Sequence, residues 1–195
     1  MNKIVVIGCS AGGLKALIDL LAEIPATFSY PIVVASHSGP DSQLLQVLQL
    51  KDEIKITVKI AVDGEKLVGQ TAFLLPGAIH GLVMGDNLRL SPLVRESGFR
   101  PSIDALFMTT AASYQENTIG VVLSGTLKDG MRGAQVIYDM GGITIVQDPD
   151  EARHASMPQS VINADHPHKI LEASELGKWL AASEAASEAA NEQAE

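Results

Sequence analysis

Residues 4–13 read IVVIGCSAGG, and this stretch decides how the rest of the chain is interpreted. Four aliphatic residues lead into a glycine-rich turn, and the helix-forming residues LKAL follow at 14–17. A short apolar run that ends in such a turn and continues into a helix is typical of a buried strand in an α/β protein. The turn itself has two common uses, which are to cradle a phosphate or to hold a nucleophile.

Composition and charge narrow the class of protein. The chain has 195 residues, of which 46% are hydrophobic and 19% charged, and this mixture indicates a globular domain. The net charge of -9 argues against nucleic-acid binding, which needs clustered lysine and arginine. A single cysteine excludes an internal disulfide, and neither a signal peptide nor a membrane-spanning apolar stretch is visible. We therefore expect a cytoplasmic protein without membrane insertion.

Aliphatic runs of strand length alternate with helix-like segments along most of the chain. This alternation predicts an α/β fold, with a three-layer, doubly wound, mostly parallel sheet, helices on both faces and one antiparallel hairpin. The predicted strands are 3–7, 31–35, 54–60, 72–75, 119–123 and 142–146, with the hairpin at 80–90. The predicted helices are 14–23, 42–50, 103–113, 129–138, 157–164 and 170–182. We expect one domain over 1–182 and a frayed or disordered Ala/Ser/Glu-rich tail over 183–195, with an interaction tail as the alternative.

The dinucleotide-binding interpretation of the glycine-rich turn meets two obstacles. The Rossmann fingerprint needs Gly-x-Gly-x-x-Gly after the first strand and an acidic residue roughly 20 residues later. Ser10 stands where the middle glycine belongs, and the second strand ends in ASH at 35–37 without a carboxylate. Nucleotide binding is therefore the least favoured alternative.

The same turn matches a nucleophile motif. GCSAG at 8–12 fits Gly-x-Ser-x-Gly, in which a serine on a tight strand-to-helix turn presents its hydroxyl. The following helix would point its first N–H groups at a developing oxyanion. A purely structural turn, with Ser10 capping the helix, is the alternative on this segment alone.

A serine nucleophile needs a base and an orienting acid. His37 follows the second strand, and Asp129 follows the strand at 119–123. If these two strands flank the first one, all three loops meet at the carboxyl edge of the sheet, where open α/β sheets bind ligands. The order Ser, His, Asp differs from the Ser, Asp/Glu, His order of α/β-hydrolases.

An ordered set of motifs over residues 2–165 resembles the catalytic domain of CheB-type chemotaxis protein-glutamate methylesterases. The motifs are GCSAGG at 8–13, SHSGP at 36–40, DGE at 63–65, LPGAIH at 75–80, RPSIDALF at 100–107, GVVLSGTLKDG at 120–130 and ASMP at 155–158. The resemblance implies that Ser10, His37 and Asp129 are catalytic. It also implies hydrolysis of glutamate methyl esters on the cytoplasmic helices of chemoreceptors, with deamidation of glutamines there.

Further residues are candidates for the same site. We expect backbone donors from Ala11, Gly12 and Thr126 to bind the oxyanion. His80 either lines the cleft or makes a structural hydrogen bond, and Arg100 either orients substrate or forms a salt bridge to the scaffold. We expect Met157 to pack near the site.

Cysteine and histidine elsewhere in the chain suggest no second chemistry. Cys9 is a rival nucleophile in principle, but a cysteine at a strand end is usually a small buried hydrophobe. His154, His166 and His168 are expected at the surface or at caps. The HPH at 166–168 lacks the further ligands of a metal site, so we predict no metal and no cofactor.

Three departures from the family keep another function open. The family's usual enzyme carries an N-terminal receiver domain, whereas this sequence starts at the first catalytic strand, so we expect a stand-alone domain or one excised from a longer protein. Ala11 stands where threonine is common, and Gly-Thr-Leu at 125–127 replaces Gly-Met-Gly. A non-catalytic chemotaxis module that keeps the fold is therefore the alternative.

Overall fold

A parallel sheet of seven strands forms the centre of the molecule. The computed structural model describes residues 3–39, 42–164 and 167–192. The sheet order is β3-β4-β2-β1-β7-β8-β9, and a separate antiparallel pair is formed by β5 and β6. The strands are β1 Ile4–Cys9, β2 Ile32–Ser36, β3 Thr57–Ile60, β4 Thr71–Leu74, β5 His80–Met84, β6 Asn87–Ser91, β7 Thr118–Val122, β8 Ile143–Gln147 and β9 Lys169–Leu171.

Helices cover both faces of this sheet. They are α1 Gly13–Ala22, α2 Leu44–Gln49, α3 Ile103–Tyr114, α4 Met131–Asp139, α5 Ser156–Ala164 and α6 Ala173–Glu192. Because side chains of a strand alternate between faces, Val5 and Ile7 of β1 join a core with α1, α2 and α6. Ile4 and Val6 join a second core with α3, α4, α5 and the hairpin. The predicted three-layer, doubly wound fold with one antiparallel hairpin is confirmed.

The winding of the sheet reverses at β1, which sets the position of the site. β1 pairs in parallel with β2 on one side and with β7 on the other. The loops that follow these three strands therefore leave from one edge of the sheet. Such an edge, where the strand order reverses, is where open α/β sheets bind ligands.

Two segments differ from the sequence prediction. The predicted helix from residue 170 is wrong at its start, because Lys169–Leu171 form β9 beside β8. Only three residues make this edge strand, too few for a recognisable pattern. The predicted strand at 54–60 begins three residues later, at Thr57.

The helical structure continues past residue 182. Residues 183–192 belong to α6, and Glu184 is buried, where its Oε1 accepts a hydrogen bond from the backbone N–H of Ser29. Residues 193–195 lie outside the described residues. A domain end at residue 182 and a frayed tail therefore remain predictions. Among the described helices, none combines the length and apolarity needed to cross a bilayer.

Candidate active site

Ser10 lies on a tight turn between β1 and α1. Its N–H donates to Ser124 O at 3.0 Å, and its carbonyl accepts the N–H of Gly13 at 3.0 Å. Gly12 ends the turn with a φ of 74°, in the left-handed region that favours glycine. A Cβ at Gly12 would also lie 2.8 Å from Arg153 Cβ. The strand end and the first residues of the helix thus fix the direction of the Ser10 side chain.

His37 follows β2 and reaches across to Ser10. Its N–H donates to Cys9 O at 3.2 Å, which continues the β1–β2 pairing beyond the sheet. The ring places Nδ1 at 3.2 Å from Ser10 Oγ. Phe99 stacks on one face of this ring, with the ring centroids 4.4 Å apart and an interplanar angle of 11°. The side chain is 12% exposed, so the imidazole is held by its neighbours yet open to solvent.

Asp129 holds the far nitrogen of the same ring. Its Oδ2 lies 2.7 Å from His37 Nε2, and its side chain is fully buried. The carboxylate also accepts the backbone N–H groups of Ile103 at 2.8 Å and Asp104 at 3.0 Å, at the start of α3. The partial positive charge of a helix N-terminus stabilises a buried carboxylate.

These contacts determine how the imidazole is protonated in its neutral form. Asp129 Oδ2 is an acceptor, so we assign the proton of neutral His37 to Nε2. Nδ1 then carries the lone pair that faces Ser10 Oγ. The structure therefore brings the three predicted residues into one chain of hydrogen bonds, Ser10–His37–Asp129.

Asp104 supports the position of Asp129 from the neighbouring helix. Its Oδ1 accepts N–H groups of Gly130 at 3.0 Å and Gly133 at 2.7 Å, at the start of α4. Burial raises the pKa of the Asp104 carboxyl, the Gly133 hydrogen bond opposes this, and the charge of Asp129 raises the pKa further. The motif at 100–107 contained Asp104, but a single aspartate in a helix gives no sequence signal for this contact.

Ser124 was not among the predicted site residues, although it lies directly behind the Ser10 turn. Its carbonyl accepts the N–H of Ser10, its Oγ donates to Ala11 O at 2.9 Å, and the same Oγ accepts the N–H of His154 at 3.0 Å. Its own N–H donates to Gln147 Oε1 at 2.7 Å. The sequence signal that could have identified Ser124 as a site residue was its position at the end of a buried strand that pairs with the first strand.

The predicted oxyanion donors lie at the mouth of the site. Ala11 is exposed, and among the described residues no acceptor takes the N–H of Ala11 or of Gly12. Both N–H groups precede α1, whose N-terminus adds positive potential. Thr126 is exposed in the loop between β7 and Asp129. The geometry therefore leaves backbone donors available on the Ser10 turn.

His80 makes structural hydrogen bonds and does not contact the Ser–His pair. It is buried, its Nδ1 accepts the N–H of Ser102 at 3.2 Å, and its Nε2 donates to Val94 O at 3.0 Å. Ser102 is the N-cap of α3, where its Oγ accepts the N–H of Ala105. His80 thus fixes the segment before α3, and through it the N–H groups that bind Asp129.

Arg100 lies beside His37. Its Nη1 donates to Pro92 O at 3.0 Å and Leu93 O at 3.1 Å. Together with His37, Phe99 and Arg95 it lines a cavity of about 250 Å³. Arg100 thus contacts backbone carbonyls and lies at the cleft, and its two alternative roles, orienting substrate or forming a salt bridge to the scaffold, stay predictions.

Met157 packs against the floor of the site. It is buried, and a Cβ added at Gly125 would lie 2.7 Å from both its Sδ and its Cε. The same Cβ would lie 2.9 Å from Ser10 Cβ. Gly125 is thus wedged between Met157 and the serine, and only a residue without a side chain fits there.

Cys9 adjoins Ser10 but points into the core. It is buried, and burial raises the pKa of its thiol to about 11, with a smaller opposing effect of a hydrogen bond with Ser36. At neutral pH the group is a protonated thiol, which is a poor nucleophile. His154 and His168 have exposed side chains, while His166 lies outside the described residues.

Three carboxylates lie close together, and one of them is Asp129, which contacts His37. Glu96, Asp104 and Asp129 offer oxygens within 4.8 Å of one another. Each already accepts hydrogen bonds, from Arg132 at 2.9 Å in the case of Glu96 and from backbone N–H groups in the other two. These donors offset the mutual repulsion of the three negative charges.

Comparison with known proteins identifies the family. The family model described as CheB methylesterase matches residues 5–180. The chain belongs to the CheB methylesterase family. The crystal structure of the Thermotoga maritima CheB methylesterase catalytic domain superposes with a TM-score of 0.88 at 31% identity, covering 94% of this chain and 99% of that one. The resemblance inferred from the sequence motifs is therefore confirmed.

Sequence relatives of this CheB-family chain agree. A Leptospira interrogans relative is 36% identical over 170 residues, which are 86% of this chain and 87% of that protein. A Trichodesmium erythraeum protein named protein-glutamate methylesterase/protein-glutamine glutaminase is 35% identical over 182 residues, 91% of this chain. A Thermotoga maritima protein of the same name is 32% identical over 183 residues, 92% of this chain. This chain spans about half the length of the latter two, 52% and 53%.

Proposed function

We propose that this protein hydrolyses glutamate methyl esters on chemoreceptors and deamidates glutamines at such sites. The observation that carries the proposal is the hydrogen-bonded chain from Ser10 Oγ through His37 to Asp129, at the carboxyl edge of the sheet. The names of the relatives supply the substrate class, because they describe action on protein glutamate esters and glutamines.

Acylation begins with the serine hydroxyl. Ser10 Oγ attacks the ester carbonyl carbon while His37 Nδ1 accepts the hydroxyl proton. The resulting imidazolium then donates this proton to the methoxy oxygen as the carbon–oxygen bond breaks. Methanol leaves, and the glutamyl group remains esterified to Ser10.

Asp129 orients the base. Its carboxylate accepts a hydrogen bond from the Nε2–H of His37, which keeps the lone pair on Nδ1 and stabilises the imidazolium. The Ile103 and Asp104 N–H groups keep the carboxylate oriented, and the stacked Phe99 ring keeps the imidazole in plane with both partners.

The negative charge that forms on the carbonyl oxygen needs donors on the Ser10 turn. We assign this role to the N–H groups of Ala11 and Gly12, supported by the N-terminus of α1. Thr126 in the facing loop is a further candidate donor. None of these roles requires the hydroxyl of a threonine at position 11, because backbone N–H groups are independent of the side chain.

Deacylation repeats the steps with water. His37 Nδ1 takes a proton from the water that attacks the acyl carbon, and returns it to Ser10 Oγ as glutamate leaves. A glutamine substrate follows the same course, with ammonia as the first leaving group. The proposal needs no metal and no cofactor.

The proposed setting follows the family. We assign the activity to a catalytic domain over residues 1–182 and the substrate to the cytoplasmic helices of chemoreceptors. The enzyme would then work in the cytoplasm, without inserting into the membrane.

Methanol release from methylated chemoreceptor membranes tests the proposal. We expect release by the wild type and a loss of at least about 10⁴-fold in Ser10→Ala and in His37→Ala, with the fold retained by circular dichroism. His154→Ala is the matched control for His37→Ala, because its exposed imidazole makes no described contact. Wild-type protein that is folded but releases no methanol would contradict the proposal and favour a non-catalytic module.

A further inference from the structure

The cavity beside His37 carries positive charge in a protein that is otherwise acidic. It has a volume of about 250 Å³ and is bordered by His37, Ala78, Phe99, Arg95 and Arg100, a set that we name the arginine pocket. The chain as a whole has a net charge of -9. None of the described residues that line this pocket is acidic. The pocket therefore presents two guanidinium groups next to the proposed base.

Neither arginine forms an ion pair with a carboxylate of the described residues. Among the described residues, the arginines that form ion pairs are Arg89, with Asp63, and Arg132, with Glu96. Within the described ranges, Arg95 donates to Gly98 O alone, at 3.2 Å. Arginine guanidinium groups at a site are suited to binding carboxylates, through paired N–H donors.

Arg100 has an unused donor. Its described hydrogen bonds both leave from Nη1, toward the carbonyls of Pro92 and Leu93, and its buried Nε has no hydrogen-bond partner within the part of the chain that the structure describes. A buried N–H without an acceptor is unfavourable, so this N–H favours the binding of a further acceptor. The Nη1 contacts hold the guanidinium in place, with its Nε side still to be satisfied.

A tight turn holds both arginines in position. Glu96 and Phe99 exchange backbone hydrogen bonds of 3.1 Å and 2.8 Å across Ser97 and Gly98. Both central residues have positive φ, 48° and 92°, as in a type I′ turn. Phe99 on this turn stacks on His37, so the turn joins the arginine pocket directly to the proposed catalytic residues.

The proposed reaction supplies a ligand of matching chemistry. Each turnover converts a neutral ester or amide into a carboxylate, so a substrate with several modified sites gains negative charge as the reaction proceeds. The pocket has room for a carboxylate and several waters, each of which occupies about 30 Å³ in the liquid.

We propose that the arginine pocket binds a substrate carboxylate close to the esterified glutamate. This inference rests on the proposed function. Its consequence is a preferred order of reaction, because a site whose neighbour has already been hydrolysed is then a better substrate than one whose neighbour is still esterified or amidated.

Kinetics on synthetic peptides test the inference. Each peptide carries one glutamate methyl ester and one glutamate, placed at successive positions up to four residues on either side, and its counterpart carries glutamine instead. For at least one position we expect kcat/KM about tenfold higher with glutamate, mainly through KM. The preference should shrink at higher salt.

Variants test whether the preference for glutamate peptides comes from the arginine pocket. Arg95→Gln should abolish it, and Arg100→Lys, which keeps the charge but loses the planar donor set, should reduce it. Arg89→Gln is the matched control, since this arginine lies on β6 and pairs with Asp63 outside the pocket, and it should keep the wild-type preference. Equal kcat/KM for both peptide series in the wild type, or a preference unchanged in Arg95→Gln and Arg100→Lys, would overturn the inference.

Binding separates this inference from the proposed function. Fluorescence anisotropy with Ser10→Ala protein compares the glutamate and glutamine peptides without turnover. Tighter binding of the glutamate peptide, lost when Arg95→Gln is added, supports the pocket even if the wild type releases no methanol. Equal binding of both peptides overturns the pocket even if methanol release establishes the esterase.

Discussion

Asp104 and Asp129 each cap the helix on which the other depends. Asp129, immediately before α4, accepts the first N–H groups of α3, and Asp104, in the first turn of α3, accepts N–H groups of Gly130 and Gly133 at the start of α4. The two helix ends are thereby tied together by a pair of buried carboxylates. One of the two also holds His37, so the packing of α3 against α4 fixes the orientation of the proposed base.

Asp129→Asn should impair the orientation of His37 while the protein still folds. An amide nitrogen in place of one carboxylate oxygen faces N–H donors, and it favours the wrong tautomer of His37. We expect kcat for methanol release to fall about 10⁴-fold and the free energy of unfolding to fall by about 1–3 kcal/mol. Asp139→Asn, at the exposed end of α4, is the control and should change neither quantity appreciably. Activity of Asp129→Asn within tenfold of wild type would contradict the proposed role.

Asp104→Asn should change how stability depends on pH. Burial raises the pKa of Asp104 above its ordinary value of 3.8, so the folded state binds more protons than the unfolded state just above that pH. The contribution of this residue to the free energy of unfolding therefore falls as the pH rises through that window. We expect wild type to lose stability relative to Asp104→Asn as the pH rises from about 3.8, measured by urea denaturation. Parallel stability curves for the two proteins would contradict the raised pKa.

Much of this arrangement could be predicted because it follows from strand order. Once the runs at 4–7 and 119–123 are recognised as buried strands, Ser10, His37 and Asp129 all follow parallel strands, and parallel strands share a carboxyl edge. Six of the seven strands of the sheet, both helical layers and the hairpin followed from the pattern of apolar residues, whereas the short edge strand β9 did not. The contact of His37 with both partners then required only that β2 and β7 flank β1.

The supporting contacts could not be predicted for a physical reason. Ser124 binds the backbone of Ala11, which is 113 residues away, and a serine in a loop looks the same in sequence whatever its partner. The partners of His80 are backbone groups, whose positions depend on the completed fold. Phe99 carries no motif of its own, and its stacking on His37 depends on the turn at 96–99.

Cys9 offers a test of which residue is the nucleophile. Its thiol is buried and its pKa is raised to about 11, so it is not a thiolate at neutral pH. We expect Cys9→Ala to keep methanol release within a few-fold of wild type, with a modest loss of stability of about 1 kcal/mol. We also expect iodoacetamide to leave the native thiol unmodified and to alkylate it in urea. Loss of methanol release in a well-folded Cys9→Ala protein would contradict the assignment of Ser10.

A pair of serine variants separates support of the site from support of the fold. Ser124 and Ser113 each donate to one backbone carbonyl and accept one backbone N–H, at Ala11 and His154 for the first and at Val83 and Gly85 for the second. Either serine-to-alanine change removes two hydrogen bonds to backbone groups, so each should lower the free energy of unfolding by about 1–2 kcal/mol.

Of these two serines, Ser124 is the one that contacts the turn carrying Ser10. Misplacement of a reacting group by about 1 Å reduces a rate by about 100-fold. We therefore expect Ser124→Ala to lower kcat for methanol release by about 10- to 100-fold, while Ser113→Ala keeps kcat close to wild type. Urea denaturation and methanol release on the same preparations give both quantities. If the two variants lose kcat equally, loss of stability alone accounts for the effect, and Ser124 has no special part in positioning the nucleophile.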